Sequence, residues 1–111
     1  MPAHGAITSD PLDFIRNCIE QGRIFWTYHV NMRFGQRPIR REIILNSVGS
    51  FEIIEEYPSD KYLPSYLIRA EHETLVFHIQ IATDVAFENI RIVTAYVPDP
   101  GKWSEDFRVR R

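Results

Sequence analysis

The spacing of apolar residues changes at Gly49, and that change limits the folds open to this chain. Before it, Leu12, Ile15 and Ile19 recur at i, i+3 and i+7, and Ile39, Ile43, Ile44 and Val48 repeat a helical stripe. After it, apolar and polar residues alternate in short runs rich in β-branched and aromatic side chains. Helices followed by strands on short links predict an α+β domain. About three N-terminal helices should pack on one face of a four-stranded antiparallel meander.

Residues 1–9 read as a flexible tail and 10–111 as a single domain. Ser9 or Asp10 can cap a first helix over 10–21, with Pro11 at its first position and Gly22 as its stop. A second helical piece is expected from Trp26 or Thr27 to Gly35, and a third over 38–48, opened by Pro38 and stopped by Gly49. The strands are expected at 51–57, 65–70, 74–82 and 89–97. A proline-bracketed turn spans 58–64 and a hairpin loop 71–73. In the first strand Phe51, Ile53 and Tyr57 should share a face, opposite Glu52 and Glu56. The closing RVRR reads as an irregular tail.

The chain carries a formal charge of −2, which argues against coating nucleic acid by global positive charge. The charge is nonetheless uneven. Arg33, Arg37, Arg40 and Arg41 cluster within TYHVNMRFGQRPIRREI, while Glu52, Glu55, Glu56 and Asp60 gather elsewhere. Such asymmetry can steer an anion to one face. The single cysteine, Cys18, excludes an internal disulfide and a CxxC metal site, and it sits on the apolar side of its helix. No H-x-x-x-H pairing is present, so no metal or cofactor is expected. The sequence has no secretory leader pattern and no apolar run near the roughly 20 residues of a membrane span, so a cytoplasmic protein is expected.

On a helix His29 and Arg33 would be i, i+4 neighbours, with Arg37 just beyond. Guanidinium holds phosphate in two-pronged fashion, and imidazole moves protons near neutrality. In the third strand Leu75, Phe77, Ile79 and Ile81 must face the helices, so His78 and Gln80 lie on the second face. Arg69 alternates in the same way. Alternation alone leaves open whether Tyr96 or Arg91 of the last strand joins them. These are the groups of metal-free RNA cleavage: a base for the 2′-hydroxyl, cations for the phosphate, an acid for the leaving oxygen.

The stretches FWTYHVNMRFGQRPI, EEYPSDKYLPSYLI, VFHIQIA and RIVTAYVPDPGKW together resemble an uncharacterised family of small bacterial domains similar to the BrnT and RelE-like toxins. The resemblance runs from about Asp10 to Arg111. It implies a RelE/BrnT-like fold and an endoribonuclease toxin whose partners are RNA, free or on ribosomes, and a small antitoxin-like protein of zinc-finger type. It places the family histidine at His29 and its arginines at Arg33 and Arg37, with the strand histidine at His78 and the tyrosine at Tyr96. Catalytic roles then fall to His29, Arg33, His78 and Tyr96, and RNA contacts to Arg37, Arg69 and Arg108. The rival reading is a non-catalytic protein-binding module whose basic stretch or sheet edge takes a partner chain. A third, an aromatic pocket of Tyr57, Tyr62, Tyr66 and Trp103, rests on composition alone.

Overall fold

The computed structural model describes residues 7–27 and 39–111. Its elements in chain order are α1 (Pro11–Glu20), β1 (Ile24–Trp26), α2 (Arg41–Asn46), a 3-10 turn at Val48–Ser50, β2 (Glu52–Tyr57), β3 (Ser65–His72), β4 (Leu75–Asp84) and β5 (Asn89–Tyr96).

Helix α1 forms where its signals lie. The Asp10 carboxylate accepts from the Asp13 N–H at 3.0 Å, and Pro11 occupies the first turn. Gly22 ends it in the left-handed region at φ 72°. There Arg23 N–H donates to the Cys18 carbonyl and Gly22 N–H to the Ile19 carbonyl, the paired bonds of a glycine-stopped helix. Ile15 and Cys18 are buried against the sheet. Arg16 donates to the carbonyls of Val48, Gly49 and Phe51 and so ties α1 to the 3-10 turn.

The sheet has five strands in the order β1-β5-β4-β3-β2. Four are antiparallel neighbours, whereas β1 pairs with β5 in parallel, setting Ile24 beside Ile90 and Trp26 beside Ile92. The face toward the helices is dry: Tyr66, Ile68 and Ala70 of β3, Phe77, Ile79 and Ile81 of β4, and Ile90 and Ile92 of β5 pack on Ile15, Ile39 and Ile44.

Three expectations fail here. The sheet is five-stranded and mixed, not four-stranded and antiparallel, because Ile24–Trp26 is a strand where a helix was to begin near Trp26. A three-residue strand is too short to show alternation. Instead of three comparable helices there are ten-residue α1, six-residue α2 and the 3-10 turn, with Gly49 inside that turn rather than stopping a helix over 38–48. The remainder of the expected second helix, 28–35, lies outside the described residues. The 71–73 loop also narrows to a tight turn, since β3 runs through His72 and β4 begins at Leu75.

Two bulges reset the faces. In β2 the register shifts between Ile53 and Glu55, so Glu55 pairs with Leu67 and Tyr57 with Ser65. Tyr57 therefore shares a face with Glu52 and Glu55, not with Ile53 as strict alternation predicts. In β5 Ile92 pairs with Ile81 but Thr94 with Gln80, leaving Val93 extra. Tyr96 is thereby turned away from the core that holds Ile92.

Candidate functional site

On the second face of the sheet, pairing sets four functional side chains in a row. Glu52 of β2 lies beside Arg69 of β3, Arg69 beside His78 of β4, and His78 beside Tyr96 of β5. The β5 bulge decides which of Tyr96 and Arg91 stands by His78. Arg91 pairs instead with Ala82, and its guanidinium reaches the buried Asp84 at 3.7 Å.

His78 is fully buried. Its Nε2 lies 2.8 Å from the Phe107 carbonyl oxygen, which can only accept, so Nε2 carries the proton. Nδ1 is then the acceptor, taking the Tyr96 hydroxyl hydrogen at 3.2 Å. Burial pushes the imidazole below its ordinary value, and the bond to Phe107 partly opposes this. Burial likewise raises the Tyr96 hydroxyl. The His78 ring meets Trp103 edge-on at 4.5 Å and Tyr96 at 5.3 Å.

Arg69 is nearly as buried. Its Nε donates to the Asp106 carbonyl at 2.8 Å and its Nη2 to Glu71 at 3.0 Å. Residues 98–111 thus form a strap across this face. The RVRR tail has no helix or strand but is anchored to the sheet: Arg108 pairs with Glu52 at 2.8 Å, and Arg110 grips Glu55 with two bonds of 2.8 and 3.1 Å while lying over the Trp103 ring. The strap closes on itself through bonds of Ser104 N–H to the Val109 carbonyl and Arg111 N–H to the Lys102 carbonyl. Its tip holds Phe107 at φ 61°, a left-handed conformation that a bulky residue adopts only when its surroundings enforce it. Arg110 holds the Glu55 carboxyl below its usual range, helped by the Tyr57 hydroxyl, which also bonds it.

Of the predicted site residues, the structure brings together Arg69, His78 and Tyr96, and sets Arg108 at the Glu52 end of their row. His29, Arg33 and Arg37 lie outside the described residues. The aromatic pocket does not assemble: Tyr66 is core, Tyr57 and Tyr62 are exposed, and Trp103 belongs to the His78 cluster. Glu55, Arg110 and the Phe107 carbonyl were missed. The available signal was the opposite charge of two short clusters, Glu52 with Glu55 and Arg108 with Arg110. Among the described residues no group of three or more His, Cys, Asp or Glu could hold a metal, and no helix is long and apolar enough to cross a membrane. A cavity of about 180 Å³ beside Phe14, Cys18 and Glu88 involves none of these groups.

The family model described as "Domain of unknown function (DUF4258)" matches residues 26–97. The chain belongs to the DUF4258 family. Neither the curated proteins nor the solved structures contain a match. The DUF4258 match takes in the basic stretch and the whole Glu52–Arg69–His78–Tyr96 row, and it ends before the strap.

Proposed function

We propose that this DUF4258 chain is a metal-independent endoribonuclease of the toxin type. The observation that carries this reading is the adjacency of Arg69, His78 and Tyr96 across three strands, with two N–H donors aimed at oxygen atoms. The likeness of its sequence to BrnT and RelE-like toxins supports it, as does the basic stretch within the same family match. In this reading His29 takes the proton of a ribose 2′-hydroxyl, and the freed oxygen attacks the adjacent phosphorus. Arg33 and Arg37 hold the charge that develops on the phosphate. The P–O5′ bond breaks, and the departing oxygen takes a proton relayed through the His78–Tyr96 pair. The products are a 2′,3′-cyclic phosphate and a 5′-hydroxyl end. The substrate is cytoplasmic RNA, free or on ribosomes, and a small antitoxin-like protein of zinc-finger type restrains the enzyme.

Purified protein incubated with single-stranded RNA in EDTA tests this. Cleavage that disappears in His29→Ala and Arg33→Ala supports it. Intact RNA, with and without ribosomes, refutes it.

A second reading, a non-catalytic protein-binding module, is favoured by one feature of the closed chain. Arg69, Arg108 and Arg110 are all engaged by acceptors of their own chain, and neither nitrogen of His78 is free. That reading predicts that neutralising Arg33 and Arg37 abolishes partner binding and that induced expression leaves growth unchanged.

A further inference from the structure

Two buried donors, the Arg69 Nε–H and the His78 Nε2–H, each give a 2.8 Å hydrogen bond to a carbonyl oxygen, and the two carbonyls belong to consecutive residues, Asp106 and Phe107. The donors are cross-strand partners on β3 and β4. We propose that they form a seat for two oxygens of one RNA phosphate, and that the C-terminal strap of this chain plugs it. The proposal rests on the ribonuclease reading for the identity of the ligand, but not for the existence of the plug.

Five observations carry it. A carbonyl oxygen and a non-bridging phosphate oxygen make the same demand on an N–H donor, so the strap satisfies this pair as a phosphodiester would. One donor belongs to a guanidinium whose Nη2 is already paired with Glu71; at its Nε the Asp106 carbonyl offers a hydrogen bond only, whereas a phosphate oxygen would add charge. The Asp106–Phe107 pair is presented by a left-handed turn at Phe107, a conformation that the contacts beneath it must maintain. The strap lies beyond the DUF4258 match, whereas both donors lie within it. Its side-chain anchors, Arg108 on Glu52 and Arg110 on Glu55, are partly exposed ion pairs, the class most easily traded for solvent. Lifting it would carry Trp103 away from His78 and leave the imidazole open beside Tyr96.

The test uses the full chain carrying Arg108→Ala and Arg110→Ala together. This change removes two positive charges, so any gain in RNA affinity cannot be electrostatic. Two readouts are taken: mass-spectrometric mapping of diethyl pyrocarbonate modification at His78, and fluorescence anisotropy with a labelled oligouridylate in EDTA. The expected result is a reactive His78 where the wild type is inert, and RNA binding about tenfold tighter because the competent state is no longer rare. Adding Arg69→Gln to the double variant should abolish that gain, and a synthetic peptide of residues 98–111 should compete with the RNA. If the double variant fails to fold by circular dichroism, Trp103→Phe with Arg110→Gln replaces it. An inert His78 in a folded variant overturns the plug. A reactive His78 without tighter RNA binding overturns the phosphate seat. Tight binding without cleavage keeps the seat and removes the nuclease reading, whereas cleavage that ignores the strap variants does the reverse.

Discussion

The two faces of the sheet are buried by different physics. The helix side is covered by isoleucines and by Tyr66 and Phe77, and its cohesion comes from excluded water and close packing. The strap side is covered by residues 98–111, without regular structure, held by carbonyl bonds to His78 and Arg69, ion pairs to Glu52 and Glu55, and the edge of Trp103. The first kind of cover is insensitive to pH and salt. The second depends on both, which suits a surface meant to be uncovered.

The largest contrast should come from deleting one aromatic ring on each side. Phe77→Ala removes a fully buried ring from the helix-side core and should cost about 4 kcal/mol of global stability by urea denaturation. Trp103→Ala should cost less, about 3 kcal/mol or below, because the strap can relax around the gap. Native-state hydrogen exchange separates them further: the Trp103 variant should speed exchange within 98–111 and leave β3 and β4 protected. Equal acceleration throughout the sheet would mean that the strap is part of one cooperative core.

Acid sharpens the same comparison. Burial holds His78 below its ordinary value of 6.5, so in the window just under that value the unfolded chain binds more protons than the folded one. Stability contributed by neutral His78 is therefore complete above 6.5 and is lost as pH falls through the window toward the depressed folded value. Glu55 adds nothing in this window. Arg110 holds it below its ordinary value of 4.5, so its contribution is lost only at more acid pH. Urea midpoints measured from about pH 7.5 to 5.5 should fall for the wild type and flatten in His78→Gln. A slope unchanged in His78→Gln would assign it to another group.

How much of this could be read beforehand follows from which signals are local. The Asp10 cap, the Gly22 stop and the change of period at Gly49 are written in neighbouring residues, and α1 and the four long strands appear where those residues put them. His78 could be assigned to the second face because Phe77, Ile79 and Ile81 leave it nowhere else. Alternation could not choose between Tyr96 and Arg91 as its neighbour, because that depends on the bulge at Val93, and nothing in RIVTAY marks one extra residue; Tyr96 came from the resemblance alone. The β1–β5 pair joins the two ends of the domain through three residues, too few for a period to show. Arg108 and Arg110 were read as a tail because their partners, Glu52 and Glu55, lie half a chain away. His29, Arg33 and Arg37, three of the seven residues of the sequence-derived site, lie outside the described residues.

Salt and a conservative swap probe the strap's electrostatics at smaller amplitude. Arg110→Lys keeps the charge but replaces the two-pronged hold on Glu55 with a single point contact and weakens the stacking on Trp103. The expected loss is roughly 0.5–1 kcal/mol, the upper part of the range for partly exposed pairs. It should shrink further in 1 M salt, where screening acts within about 3 Å. The same salt should leave the Phe77→Ala penalty unchanged or raise it slightly.

The smallest effect should come from the ion pair that resembles these on paper and differs in setting. Arg23 reaches Glu88 at 3.4 Å, but both side chains are largely exposed, no aromatic ring backs the guanidinium, and the contact is single. Holding two long side chains in water costs about as much entropy as the attraction returns, so Arg23→Ala should change stability by no more than about 0.5 kcal/mol. Set beside Arg110→Lys, this isolates what the strap adds: the charges are alike, and the difference lies in the ring beneath Arg110 and the second bond to Glu55. If Arg23→Ala proves as costly as Arg110→Lys, that backing contributes nothing measurable. The hold on the strap would then rest on its two carbonyl bonds to Arg69 and His78, the packing of Trp103 and the Arg108–Glu52 pair.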